Sequence, residues 1–431
     1  MQLINKILHI IEEKNIQNFL LNETITHTEE LFFVKKDLTL TRNKDITKCD
    51  VTIYHDFEKD GMKMRGSSSF LADNTMSEHT LIDKVKAAYS SALSVCNPYY
   101  KLPSSNEMFT ESDKTNHTDI ASVKNYTGLE LSHIIYKNDI YPEAFINSME
   151  LFVTQTEVHI INSNGINVSY TDKRYSGEFI VQCKEPNDVE LYQSFEYSSQ
   201  DMDIEQSIAN KFSKSLQMIK DRANAVSVHD ISAADFCYDT IILDGSCVYE
   251  LFNYYLRRLD ASMIFPGYSQ FKLKEPVIAS QSASADKLNI TLSPKIPYSS
   301  EGIKLISANL VKDNIAQYIT GNARFSFYLG IPAIGEYNSF QMKCGKTSLA
   351  EMCKTPYLRI VNFSDFQMDE LTGQFGGEFR LAYYFDGIKT IPVTNGSISG
   401  NINNLVKSMH LSQEEQCMYN FNGPQAVSYM V

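Results

Sequence analysis

Tryptophan is absent from this 431-residue chain, so Phe and Tyr supply its whole 11% aromatic fraction. No window approaches the roughly 18 uninterrupted apolar residues that a membrane-spanning helix needs. Eight cysteines are scattered without a C-x-x-C pair, which predicts reduced thiols in a cytoplasmic protein. Triplets such as Asn125-Tyr126-Thr127 then carry no glycosylation meaning. The nine histidines include no pair at three- to five-residue spacing, which weighs against a local zinc motif. No basic run offsets the formal net charge of -13; the densest clusters, Lys35-Lys36 and Arg257-Arg258, are only pairs. Such a potential repels phosphate backbones and anionic lipid heads, so neither nucleic acid nor a membrane is an expected partner. Phosphate loops are missing too. "CGKTS" ends like one, but Phe340 stands where the wrapping glycine belongs, and "GQFGG" fails the dinucleotide fingerprint.

What is present has the composition of a globular protein, 43% hydrophobic and 21% charged, and the length suits about two to four domains. The opening "MQLINKILHIIEEKNIQNFL" aligns Leu3, Ile7, Ile10 and Ile11 on one stripe that Glu12 and Glu13 interrupt, which predicts an amphipathic helix and not a signal peptide. Half-buried strands follow around Val51 and Ile53. Ser77 then predicts the N-cap of a helix with Leu81, Val85, Ala88, Tyr89 and Ala92 on its buried face. Asn97 to Asn125, rich in Asn, Pro, Ser, Thr and Lys, reads as a linker. The order repeats in the middle region. An Asn164-Gly165 turn predicts a hairpin, and Asp203 with Gln206 predicts a capping box before the stripe Ile204, Ile208, Phe212, Leu216 and Ile219.

From Asn224 onward, short strands alternate with turns, and one helix interrupts them from Asp244 to Asp260. The expected fold class is therefore α+β. N-terminal helix-covered antiparallel sheet layers, divided into 1–100 and 101–223, precede a mainly antiparallel, barrel-like β domain over 224–431. The most patterned stretch is "TGQFGGEFRLAYYFDGIKTIPVTNGSISGN". It predicts two strands about an Asp-Gly turn, with Phe379, Leu381, Tyr383 and Phe385 on one face and Glu378, Arg380, Ala382 and Tyr384 on the other.

Candidate chemistry is sparse. His55-Asp56 and His229-Asp230 are adjacent pairs whose side chains diverge on a strand. Cys247 or Cys344 needs a histidine that only the tertiary fold can bring, and Asp365, Asp369, Glu370 and Glu378 read as solvated charges beside turns.

The patterned C-terminal stretch resembles the signature of the TldD/PmbA family of modulator-of-gyrase or peptide-maturation metallopeptidases. Asp369, Thr372, Gly373, Phe375, Gly387, Lys389, Pro392, Val393, Ser399, Gly400 and Asn401 fit its D-x-x-T-G-x-F, Gly/Lys turn, P-V and I-S-G-N order. Softer matches at Ser163 to Gly165, "SSEGIKLISANLVKDNIAQYIT", "TGNARFSF" and "NGPQAVSYM" extend the likeness over most of the chain.

Active members of the family carry zinc on an H-E-x-x-x-H helix and on a C-terminal Cys-Gly-Lys segment. The resemblance places Asn253, Tyr254 and Arg258 at the two histidines and the glutamate of that helix, and Cys417 is followed by Met418 and Tyr419. An amide, a phenol and a guanidinium replace the ligands and the base, so no cofactor is expected in this chain and no catalysis by it alone. The resemblance to the zinc-free TldE/PmbA-like branch implies a cytoplasmic accessory subunit acting on unfolded peptides or peptide precursors. It would be a homodimer or a heterodimer with a TldD-like zinc peptidase, zinc being expected in that partner. The hairpin residues Gly373, Phe375, Gly376, Gly377 and Arg380 would then serve as scaffold or hold peptide. The alternative reading is a non-enzymatic peptide-binding or scaffold homo-oligomer.

Overall fold

The computed structural model describes residues 2–105, 125–201, 203–233 and 235–431. Most of the expected linker, residues 106–124, together with His117, lies outside them. The opening stripe forms α1 (Leu3–Glu13), which buries Leu3, Ile4, Ile7, Ile10 and Ile11. Three antiparallel strands follow, β1 (Asn18–Val34), β2 (Asp37–Lys59) and β3 (Met62–Asp73). Helix α2 (Glu78–Ser94) starts where Ser77 accepts a hydrogen bond from the Thr80 backbone N–H, and it buries Leu81, Val85, Ala88 and Ala92. After the short β4 (Asn97–Pro98), α3 (Gly128–Tyr136) opens with a Thr127/Glu130 capping box.

Strands β5 (Ala144–Asn162) and β6 (Asn167–Cys183) meet at the expected Asn164-Gly165 turn, where Gly165 adopts φ +85°. Strand β7 (Val189–Ser198) and helix α4 (Ile204–Ala223) complete the N-terminal half, with the predicted α4 stripe buried. The predicted Asp203 capping box does not form. Asp203 sits in the left-handed region at φ +55°, not the extended geometry that aims a cap at the helix N–H groups, and Gln206 bonds Asn210 instead.

All these strands belong to one antiparallel sheet ordered β4-β3-β2-β1-β5-β6-β7. Sheet-then-helix occurs twice, and β1 pairs with β5 from Leu20↔Asn162 to Val34↔Ser148, joining the two units edge to edge. Leu21, Leu31 and Phe33 share one face of β1 by strand alternation; α1 and α2 cover that face at one end, α3 and α4 at the other. At the centre of the second unit, Phe212 stacks on Phe179 with ring centroids 4.1 Å apart.

The C-terminal half begins with β8 (Val226–Ser227), β9 (Thr240–Asp244), α5 (Cys247–Arg258) and α6 (Ala261–Ile264). Next come β10 (Ile290–Leu292), β11 (Ala308–Lys312), β12 (Ile315–Ala316), α7 (Ala323–Leu329), β13 (Phe340–Met342) and α8 (Leu349–Met352). Strands β14 (Tyr357–Met368), β15 (Gln374–Phe385), β16 (Thr390–Thr394) and β17 (Gly396–Asn401) lead to α9 (Ile402–Leu405). The chain closes with β18 (His410–Leu411), β19 (Glu415–Met418), β20 (Phe421–Pro424) and β21 (Ala426–Met430).

These strands build two sheets, β12-β11-β10-β13-β20-β19 and β18-β21-β9-β14-β15-β16-β8, with β17 also on β15. The α+β class holds, but the barrel does not close. The stripe of α5 packs with side chains of both sheets into a single core, which keeps the sheets apart as separate layers. Short helices α6 to α9 also interrupt the region where one helix was expected. Register shifts between β14 and β15 over Ile360–Asp365, one of which leaves Arg380 of β15 without a direct partner on β14, break the predicted alternation. Phe379 therefore shares a core with Ala382 and Tyr384, while Leu381 turns toward the α4 side. Among the described residues no helix is long and apolar enough to cross a membrane.

Replacing Phe212 with Ala removes a fully buried ring, and we expect a loss of about 3 to 5 kcal/mol, read as a lower urea midpoint with an unchanged slope.

Candidate functional site

Strand β9 delivers Asp244, 2% exposed, to the start of α5. Its carboxylate accepts from Arg359 Nε at 2.9 Å, Lys214 Nζ at 3.1 Å and Gln425 Nε2 at 3.1 Å. Burial opposes the charge, yet the Lys214 and Arg359 cations outweigh it and hold the carboxyl below its ordinary range. Gly245 then takes φ +96°, a conformation available to glycine, and Gln416 Nε2 bonds its carbonyl at 2.9 Å. Helix α5 follows, burying Val248, Leu251, Phe252, Tyr255, Leu256 and Leu259 as its spacing predicts.

The three positions singled out on α5 have distinct surroundings. Asn253 is half-buried and shares a helix face with Glu250 and Arg257. Tyr254 is 4% exposed, its ring 5.2 Å from Tyr255 and edge-on to Phe271; burial raises its phenol, which stays protonated. Arg258 is 8% exposed. Its Nη1 donates to the carbonyls of Tyr268, Leu371 at 3.3 Å and Glu370 at 3.5 Å, and its guanidinium lies over the rings of Tyr254 and Phe271. These groups do not fit zinc. Guanidinium has no lone pair to offer, and Nη1 of Arg258 is already engaged by backbone oxygen. Five residues apart, Asn253 and Arg258 leave a regular helix about 140° apart. Among the described residues no three of His, Cys, Asp and Glu gather in a metal-binding group.

The loop that Arg258 touches is rigid for local reasons. Asp369 accepts from the Leu371 N–H at 2.8 Å and from Thr372 Oγ1 at 2.6 Å, and these bonds hold its carboxyl low. Gly373 turns at φ +75°, and Asn401 Nδ2 bonds the Thr372 carbonyl at 3.1 Å. Along β15, Phe375 is buried and Arg380 exposed. A Cβ on Gly377 would come within 2.0 Å of the Asp365 carbonyl and one on Gly376 within 2.8 Å of the Ile398 carbonyl, so both glycines permit close strand approach. None of Gly373, Phe375, Gly376, Gly377 and Arg380 lines either cavity described below.

Other candidates scatter. His55 stacks on Phe57, whereas Asp56 makes a two-pronged ion pair with buried Arg65 at 2.6 and 2.8 Å. Burial raises the Cys247 thiol, and burial with Glu415 and Glu414 raises Cys344, so neither is an activated nucleophile. Asp365 and Glu378 are exposed cross-strand neighbours, and Glu370 pairs with Arg257 at 3.3 Å.

Two cavities flank α5. One of about 390 Å³ is lined by Arg257, Asp260, Lys295, Glu336 and several small polar residues. A larger cleft of about 1020 Å³ separates β7 and α4 from β14, β19 and the start of α5. Strand β7 ends its sheet, so among the described residues no strand pairs its outer edge, although toward its two ends the Tyr419 N–H takes the Glu196 carbonyl at 3.0 Å and Arg222 takes that of Glu190. Across the cleft, β14 is paired by β9 only over Tyr357–Ile360, which leaves the edge from 361 onward without a strand among the described residues. Sequence reading missed this cleft because its walls combine separate segments between residues 152 and 425, with no local signal.

Residues 238–429 match the family model described as the PmbA/TldA metallopeptidase C-terminal domain. That C-terminal domain, residues 238–429, is of the TldD/PmbA type. No curated protein matches it. Among solved structures, the TldD/PmbA fold seen here is similar to that of TldE from Thermococcus kodakarensis, with TM-score 0.75 and 12% identity over 99% of this chain and 98% of that one. Proteins described as modulators of DNA gyrase are similar too. One is from Bacteroides thetaiotaomicron, with TM-score 0.74 and 14% identity over 99% and 97% of the two chains. Another is from Thermotoga maritima, with TM-score 0.73 and 11% identity over 99% and 97%.

Asp244→Asn leaves Lys214 and Arg359 facing an uncharged amide, and we expect a loss of about 3 to 5 kcal/mol at pH 7 in urea unfolding. Because the folded carboxyl lies below its ordinary 3.8, its stabilisation is complete above that value and fades as the pH falls below it. The gap between wild type and variant should therefore narrow in acid.

Proposed function

We propose that this chain is the zinc-free accessory subunit of a cytoplasmic TldD/PmbA-type peptidase assembly that acts on unfolded peptides or peptide precursors. The observation that carries the reading is the identity and setting of Asn253, Tyr254 and Arg258 on α5. A buried cation bonded to three carbonyls occupies a position where the family resemblance implies a metal ligand. Zinc chemistry would then reside in a TldD-like partner.

The chain's own contribution is to hold peptide. The cleft is bounded by two open strand edges, on β7 and β14, and an extended peptide laid between them would gain main-chain hydrogen bonds without regard to sequence. Aromatic and aliphatic groups along the walls, including Phe152, Phe195, Met218 and Phe363, give apolar contact to side chains. A segment must be extended and free of its own partners to lie between the two edges, so the cleft would favour unfolded chains.

Purified alone, the protein should hold no stoichiometric zinc and cleave no peptide. Coexpressed with a zinc-bearing TldD/PmbA relative, it should copurify and run as a defined heteromer in native mass measurement. One zinc per chain in the isolated protein, or peptide cleavage that a chelator abolishes, would defeat the proposal. A homo-oligomer that ignores the relative would favour the scaffold reading.

A further inference from the structure

The cleft beside α5 is strongly unequal in charge. Glu178, Glu196, Asp244, Glu250, Asp365 and Glu415 line it, against two lysines on α4, Lys211 and Lys214. Lys214 is matched by Asp244 at 3.1 Å. Lys211, three residues earlier on the same helix face, makes no ion pair among the described residues, and its side chain is half-buried in the wall. Burial and then the neighbouring Lys214 charge push its ammonium down to about 8. A cation withdrawn from water without a counter-ion is costly, and an anion that entered the cleft would relieve the cost.

The open edges beside Lys211 restrict what that anion is. An extended peptide satisfies the edges of β7 and β14 through its main chain, and the one negative charge common to every such chain is its C-terminal carboxylate. The unpaired carboxylates along the cleft repel that group. Among the described residues that line the cleft, only Lys211 offers it an uncommitted positive partner. We propose that Lys211 holds the C-terminal carboxylate of a peptide lying extended in this cleft, so that the site takes chain ends and fixes their direction. The inference rests on the peptide-holding reading above and adds to it a terminus, a polarity and a residue.

The test is fluorescence anisotropy with the full chain and a neutral hexapeptide labelled at its N-terminus, as free acid and as C-terminal amide. The free acid should bind about tenfold more tightly than the amide. Lys211→Met should bring the free acid to the amide level and leave the amide unchanged, while Lys211→Arg keeps the preference; thermal melts of both variants verify folding. An amide carrying one internal Glu should not recover the lost affinity. Equal binding of acid and amide, or a preference that survives Lys211→Met, overturns the anchor while leaving the peptide-holding reading in place. Recovery by the internal Glu overturns its restriction to chain ends. Absence of binding by either peptide overturns the peptide-holding reading, and the anchor with it.

Discussion

The carboxylate of Asp244 is the point on which the two halves of this molecule depend. It sits at the end of β9, buried at 2% exposure, and receives Lys214 from the N-terminal α4, Arg359 from β14 and Gln425 from the segment before β21. A buried carboxylate with these partners is tolerable, and without them it is not, so the contact fixes where α4 lies against the C-terminal core. It also sets the floor of the large cleft. The same lysine that satisfies Asp244 leaves its neighbour Lys211 unmatched, and the charge pattern of the cleft follows from that asymmetry.

Helix α5 begins at this knot and carries the other half of the site. Its apolar stripe belongs to one core with both C-terminal sheets, and Tyr254 is part of that core. Arg258 joins the helix to the Asp369–Gly373 loop through backbone carbonyls. Family residues such as Asp369, Gly373 and Asn401 build a rigid turn here, and Gly396 and Gly400 lie against the rings of Phe379 and Phe375, where a Cβ would come within 2.3 and 2.5 Å. Their role in this chain is steric and hydrogen-bonding, and Arg258 is the cation that the turn receives.

Much of the fold was legible because its elements carry strong periodicity. The α1, α2, α4 and α5 stripes, the Ser77 cap and the Asn164-Gly165 turn all depend on contacts within a few residues, and each formed. Two expectations failed where longer-range packing intervened. Asp203 adopted a left-handed backbone that removed its cap, and the register shifts between β14 and β15 switched the phase of β15. The C-terminal half is mainly antiparallel β as expected and forms no closed barrel. The α5 positions 253, 254 and 258 were readable as chemistry because residue identity alone excludes a metal ligand from arginine.

The sequence by itself determined the α+β class, the amphipathic helices and the amide, phenol and guanidinium at positions 253, 254 and 258 of α5, since these follow from local spacing and from residue identity. Tertiary structure alone decided that β1 would pair with β5, that β7 and β14 would leave open edges across one cleft, and that Lys214 rather than Lys211 would meet Asp244. Those outcomes depend on which distant segments pack together, and a buried charge selects its partner by distance in space, a quantity that no spacing along the chain encodes.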